Sequence, residues 1–245
     1  MSLPQSDLQS IGERYLHLCG TPPIRHLLSA GGELHVATEH RSVADIQTLI
    51  SLGHSHFAEK YCQEMLRKWV VSPLKDSEVY LSFFGHLQAN KVRKIMGVAH
   101  SIEGVGSLRI AAKIAAIQAE TLRKNRLLLQ VNISREAQKN GCLPEDAARL
   151  LHQMREDLGL DIEGVMIIPQ RDVDPSPSFR WARRFADQHH LRHCAMGMSL
   201  DYSHAIDCGA TIVRVGRLVW GERLPQPKRG ADSPTLSTSG PSCFS

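Results

Sequence analysis

Apolar runs and amphipathic runs alternate along this chain in a regular order. Eight short apolar stretches read as strands: residues 33–38, 56–60, 79–85, 100–105, 126–132, 162–168, 193–197 and 211–216. The stretches between them carry helical period. Val43, Ile46, Leu49 and Ile50 recur on one face, as do Leu108, Ala111, Ala112, Ala115 and Ala119, and again Ala147, Leu150, Leu151 and Met154. Ser42, Ser107 and Pro144 mark helix starts, and Gly53, Gly159 and Gly209 mark stops. Eight strands alternating with helices in 245 residues predict an α/β fold, a single closed (β/α)8 barrel of the TIM type. A doubly wound open sheet is the alternative, and the lack of a Gly-x-Gly-x-x-Gly opening argues against it. An extra helix over about residues 7–18 precedes the first strand. The expected division is therefore residues 1–29 as helix and linker, 30–223 as barrel, and 224–245 as a Pro-, Ser- and Gly-rich tail without periodic apolar positions, expected to be disordered.

Composition narrows the class little: 42% hydrophobic and 22% charged residues are those of an ordinary globular protein. The formal charge of +4 is spread along the chain, so nucleic acid is not an expected partner. No apolar run approaches the roughly 18 residues of a membrane span, and the N-terminus lacks a secretory pattern. Cys19, Cys62, Cys142, Cys194, Cys208 and Cys243 form no Cys-x-x-Cys pair and read as reduced thiols of a cytoplasmic protein. The histidines show no metal spacing; His54/His56 and His189/His190/His193 come nearest, and no metal is expected.

Candidate chemistry concentrates in residues 195–221. Met196-Gly197-Met198-Ser199 makes one small-residue turn, and Gly216 opens another directly after the apolar run that carries Arg214. Glycine-bearing turns at two neighbouring strand ends let backbone N–H groups face one anion, a phosphate cradle at the last strands of a barrel. The plain alternative is two ordinary strand-to-helix turns. At other strand ends, Glu59, Lys60 and Asn132 could face a ligand. Glu59 could equally partner a helix N-terminus, Lys60 could pair with Glu59 or Glu64 on a solvated rim, and Asn132 could simply form its turn.

Local sequences match, in order, those of a known family. Phe57-Ala58-Glu59-Lys60-Tyr61-Cys62-Gln63-Glu64, Phe84-Gly85-His86-Leu87-Gln88-Ala89-Asn90-Lys91, His100-Ser101-Ile102-Glu103, Val131-Asn132-Ile133-Ser134 with Lys139 and Gly141, Gly164-Val165-Met166, Met196-Gly197-Met198-Ser199 and Val213-Arg214-Val215-Gly216 together resemble the pyridoxal phosphate homeostasis protein family. The resemblance covers about residues 30–223. It implies a single-domain barrel related to the N-terminal domain of alanine racemase. It also implies a role in holding and distributing pyridoxal 5′-phosphate (vitamin B6) with no established turnover. By the same resemblance, Ser199, Gly216 and the backbone N–H of Arg217 would hold the phosphate, and Arg214 would add charge or meet the ring nitrogen. Met198, Asn132, Glu59 and Lys60 would lie near the cofactor.

One departure stands out. The family's first strand ends in a lysine that forms an imine with the cofactor aldehyde. Here the stretch reads His35-Val36-Ala37-Thr38-Glu39-His40-Arg41, which puts Thr38 at the lysine position, or Glu39 if a residue is inserted; the first lysine in the chain is Lys60. Ser82 also stands where the family commonly has histidine. Three readings remain open: a divergent, non-catalytic paralogue that binds the cofactor or another small phosphorylated ligand without a covalent bond; a racemase- or lyase-type enzyme with the imine moved to Lys60; and a ligand-free interaction module. A monomer or weak dimer is expected.

Overall fold

The computed structural model describes residues 10–221. Eight parallel strands close into a barrel in sequence order: β1 Glu33–Ala37, β2 His56–Glu59, β3 Tyr80–Phe83, β4 Ser101–Val105, β5 Arg126–Val131, β6 Ile162–Ile167, β7 His193–Ala195 and β8 Ile212–Val215. β8 returns to β1 in register, Glu33 beside Ile212 through Val36 beside Val215. All eight expected strands are present. The connecting helices are α3 Val43–Ser51, α4 Cys62–Leu66, α5 Val92–Val98, α6 Leu108–Thr121, α7 Pro144–His152, α8 Ser176–Gln188, α9 Tyr202–Asp207 and α10 Arg217–Trp220. A π-helical turn, Arg67–Val71, continues α4.

The punctuation read from the sequence operates as expected. Ser42 caps α3 in a reciprocal box with Asp45, and Ser107 caps α6. The region before β1 differs from expectation. It holds two helices, α1 Ile11–Gly20 and α2 Pro22–Ser29. Pro22 and Pro23 cannot extend α1 through their missing N–H groups, but they suit the first turn of a new helix, and Ile24 and Leu27 give that helix a buried face. Arg14 of α1 donates to the carbonyls of Val219 (2.9 Å) and Trp220 (3.3 Å), tying the first helix to the last. Residues 7–9 of the expected N-terminal helix, and the expected tail with Cys243, lie outside the described residues.

The barrel interior divides in two. Leu128, Met166, Ala195 and Ile212, from β5–β8, form a closed apolar cluster separate from the main core. The side built by β1–β4 is polar: His35, Ser82, Ser101 and Glu103 are all fully buried there. Enclosed polar groups need partners, and the contacts of His35 with Ser82 and Glu103 set the floor of the site.

Candidate functional site

A chain of charged contacts runs up the polar half of the barrel. At its base Arg126 holds Glu33 at 2.7 Å. Glu33 accepts from Nε2 of His35 at 2.8 Å, and Nδ1 of His35 lies 2.9 Å from the Ser82 hydroxyl and 3.4 Å from Glu103. Glu103 in turn pairs with the guanidinium of Arg214. Burial alone would lower the pKa of His35, but Glu103 and Glu33 outweigh it and hold the imidazolium above its ordinary value. Burial raises Glu103, while Arg214 and His35 pull it below the ordinary carboxylate value. Ser82 thus stands beside a histidine of β1.

Above this floor, at the C-terminal ends of the strands, two adjoining cavities open, of about 760 and 500 Å³. This is the face where parallel barrels build their sites. The larger cavity is lined by Ala37, Glu39, Phe84, Met198, Ser199, Arg214, Gly216, Arg217 and Trp220, among others. The smaller holds Lys60, Gln63, Gln88, Lys91 and Asn132. Glu39, Phe84, Lys139, Ile168 and Met198 border both.

The two turns singled out in the sequence meet here. The Gly216 amide donates to the Ser199 hydroxyl at 3.1 Å, which leaves the hydroxyl proton for a further acceptor. Gly197, at φ 92°, makes the first turn possible; a Cβ there would stand 2.5 Å from that of Ala205. The Met198 amide is taken by Asp201 at 2.6 Å, bracing the same turn. Arg214 lies over the Phe84 ring at 5.3 Å, and Trp220 donates its indole N–H to the Ala37 carbonyl at 2.6 Å, fixing α10 against β1.

Other expected site residues fall differently. Asn132 borders the smaller cavity, but its amide nitrogen donates to the carbonyls of Glu136 (2.9 Å) and Lys139 (3.2 Å), so it shapes the loop after β5. Lys60 lines only the smaller cavity and lies over the Tyr61 ring at 5.7 Å. Glu59 borders neither cavity. It is fully buried on the outer side of β2, accepting from Thr38 (2.6 Å) and Trp69 (2.9 Å) and paired with Lys68 (3.2 Å). Thr38 goes with it, because side chains alternate across a strand: with Ala37 turned into the barrel, Thr38 faces the helices. Glu39, the next residue, lines both cavities. Thr38 thus faces away from the cavities, whereas Glu39, the alternative that allows one inserted residue, borders them. Lys139, the lysine bordering both cavities, has its ammonium engaged by Glu136 at 2.6 Å and the Pro169 carbonyl at 2.9 Å.

Comparison with known proteins agrees with this architecture. Residues 36–224 match the family model described as alanine racemase, N-terminal domain. A pyridoxal phosphate homeostasis protein of Aquifex aeolicus is 33% identical over 73% of this chain and 81% of its own. The bovine protein of that name, from Bos taurus, is 29% identical over 96% of this chain and 92% of its own. The structure of PipY from Synechococcus elongatus with PLP bound superposes with a TM-score of 0.75 at 28% identity, covering 86% of this chain and all (100%) of PipY.

Proposed function

Since this chain belongs to the alanine racemase N-terminal domain family, among the pyridoxal phosphate homeostasis proteins, we propose that it binds pyridoxal 5′-phosphate, or a close phosphate ester, without a covalent bond. In this reading it holds the cofactor and does not turn over a substrate. The observation that carries the reading is the 3.1 Å contact between Ser199 and Gly216, which sets a hydroxyl and two turns of backbone on one cavity wall. Arg217 sits beside them and supplies positive charge at the rim. The residues fit the phosphate end of the cofactor. They do not fit its aldehyde end, where Glu39 offers a carboxylate and no amine. Lys60 lines the other cavity and Lys139 is engaged, so no observation favours a relocated imine. Free thiols at Cys19, Cys62, Cys142, Cys194 and Cys208 accord with a cytoplasmic setting. A monomer or weak dimer remains the proposed state.

Titration calorimetry tests this directly. Pyridoxal 5′-phosphate should bind and pyridoxal should not compete at similar concentration. Ser199→Ala should weaken the phosphorylated ligand by roughly tenfold or more, the worth of a hydrogen bond to a charged group, and leave pyridoxal unchanged. Equal affinity for the two ligands would refute the cradle.

The placement of the lost lysine has its own test. With pyridoxal 5′-phosphate, Glu39→Lys should gain a visible imine absorbance, and borohydride should fix the label at position 39. Thr38→Lys, directed at the Glu59 pocket outside the barrel, should gain none. The reverse pattern would restore Thr38 as the equivalent position.

A further inference from the structure

The smaller cavity holds a polar group that the phosphate turns leave unexplained. Gln130, near the end of β5, is only 7% exposed, and its carboxamide makes no hydrogen bond to any described residue. Its direction is fixed by the sheet. It shares the inward parity of Leu128 and pairs with Met166 on β6, both members of the interior cluster. The side chain therefore enters the smaller cavity from the barrel side. A buried amide costs free energy unless a partner meets it. Gly104 keeps the space beside it clear: a Cβ there would stand 2.8 Å from the Gly85 carbonyl oxygen and 3.5 Å from Oε1 of Gln130. The charge around this cavity is weighted to one sign, Lys60, Lys91 and Lys139 against Glu39. Lys139 is paired with Glu136, whereas Lys60 and Lys91 have no carboxylate within ion-pair distance among the described residues.

The two cavities adjoin along a shared wall. Met198, which precedes Ser199, borders both, as does Phe84, whose ring lies under the Arg214 guanidinium at 5.3 Å. Phe84 leads directly into Gly85, where a Cβ would stand 1.8 Å from the Lys60 carbonyl oxygen. The phosphate turns and the Gln130 amide thus open on neighbouring spaces with Phe84 and Met198 common to both.

We propose that the smaller cavity is a carboxylate subsite, and that the whole site takes the conjugate of the phosphorylated pyridine with an α-amino acid. That conjugate is the imine formed in solution from the aldehyde and the amine with loss of water. The proposal rests on the phosphate reading above and extends it to the far end of the ligand. Gln130 donates an amide N–H to the carboxylate, and Lys60 and Lys91 supply the countercharge, so the contacts are charge-assisted. No lysine stands at the end of β1 to displace the amino acid from the aldehyde carbon, so the conjugate is held as it arrives. The chain itself makes and breaks no bond.

Calorimetry on the full chain uses the reduced, hydrolysis-resistant conjugate phosphopyridoxyl-L-alanine, the matching conjugate of ethylamine, which lacks only the carboxylate, and pyridoxyl-L-alanine without phosphate. The alanine conjugate should bind about tenfold or more tightly than the ethylamine conjugate, the worth of a hydrogen bond to a charged group. Gln130→Leu should bring that ratio near one while the ethylamine conjugate binds as before. The same change replaces an unpartnered buried amide with an apolar group of similar size, so its urea midpoint should hold or rise, which separates lost binding from lost folding. Lys60→Ala combined with Lys91→Ala should lower the ratio in the same way. Equal binding of the two phosphorylated conjugates, or a ratio that Gln130→Leu leaves in place, would overturn the carboxylate subsite and leave the phosphate reading standing. If pyridoxyl-L-alanine binds as tightly as its phosphate ester, the phosphate reading fails and this inference falls with it.

Discussion

Glu103→Gln is expected to lower folding stability by about 3–5 kcal/mol, the range for removing one partner of a buried ion pair. Glu103 is fully buried, and its carboxylate stands between Arg214 and His35. A neutral amide cannot balance two cations in the barrel interior. Arg214 has little water to turn to, being 5% exposed. Urea denaturation should show the loss as a lower midpoint, and a double change that removes both charges, Glu103→Leu with Arg214→Met, should be less damaging than Glu103→Gln alone. The deficit also has a pH signature. Glu103 is held below its ordinary value of 4.5, so its contribution is present above that value and disappears as acid protonates it. His35 is held above its ordinary 6.5, so its contribution is complete below that value and is lost as pH rises through the raised pKa. The gap between variant and parent should therefore be widest between these limits and narrow on both sides. A deficit independent of pH would mean that Glu103 acts through packing alone.

This interior network shows where sequence reading stops. The barrel itself was legible, since apolar period, caps at Ser42 and Ser107 and glycine stops are local signals that agree with one another. The meeting of two turns was legible too, because Ser199 and Gly216 follow β7 and β8, which pair as neighbours. His35, Ser82, Glu103 and Arg214 gave no such signal. Two of these contacts cross 47 and 111 residues of sequence, His35 to Ser82 and Glu103 to Arg214. A lone polar residue in a strand does not announce which partner satisfies it. The end of β1 poses a different problem. Matching residues along the strand favoured Thr38, whereas the alternation of side chains with His35 and Ala37 facing inward turns Thr38 away from the cavities that Glu39 lines. That parity was present in the sequence, but it becomes decisive only when the partners on each face are known. Lys68 offered only its spacing to Glu64, four residues earlier, and that spacing is common on exposed helices.

Lys68 nevertheless carries the second large expected effect. Its ammonium is buried outside the barrel, paired with Glu64 at 2.7 Å and Glu59 at 3.2 Å, and it donates to the Thr38 carbonyl. Glu64 also accepts from the His40 amide at 2.6 Å. One cation thus fastens the loop after β1, which includes Glu39, to β2 and α4. Lys68→Met fills the volume but leaves Glu59 enclosed without its countercharge, with a cost of about 3–5 kcal/mol. Burial already pushes Glu59 above its ordinary pKa, and Lys68 is the main group opposing that rise. Without it the folded value climbs further. A carboxyl with a raised folded pKa contributes stability that is complete below its unfolded value and is lost as pH rises through the folded one. Lys68→Met should therefore be markedly less impaired near pH 5 than near pH 8, and Glu59→Gln added to it should remove that difference. Because the loop bearing Glu39 loses its fastening, the variant should also bind the phosphorylated ligand more weakly at a pH where it remains folded. Unchanged affinity in a folded Lys68→Met protein would show that the loop is held by its own turn, and that the buried cluster serves stability only.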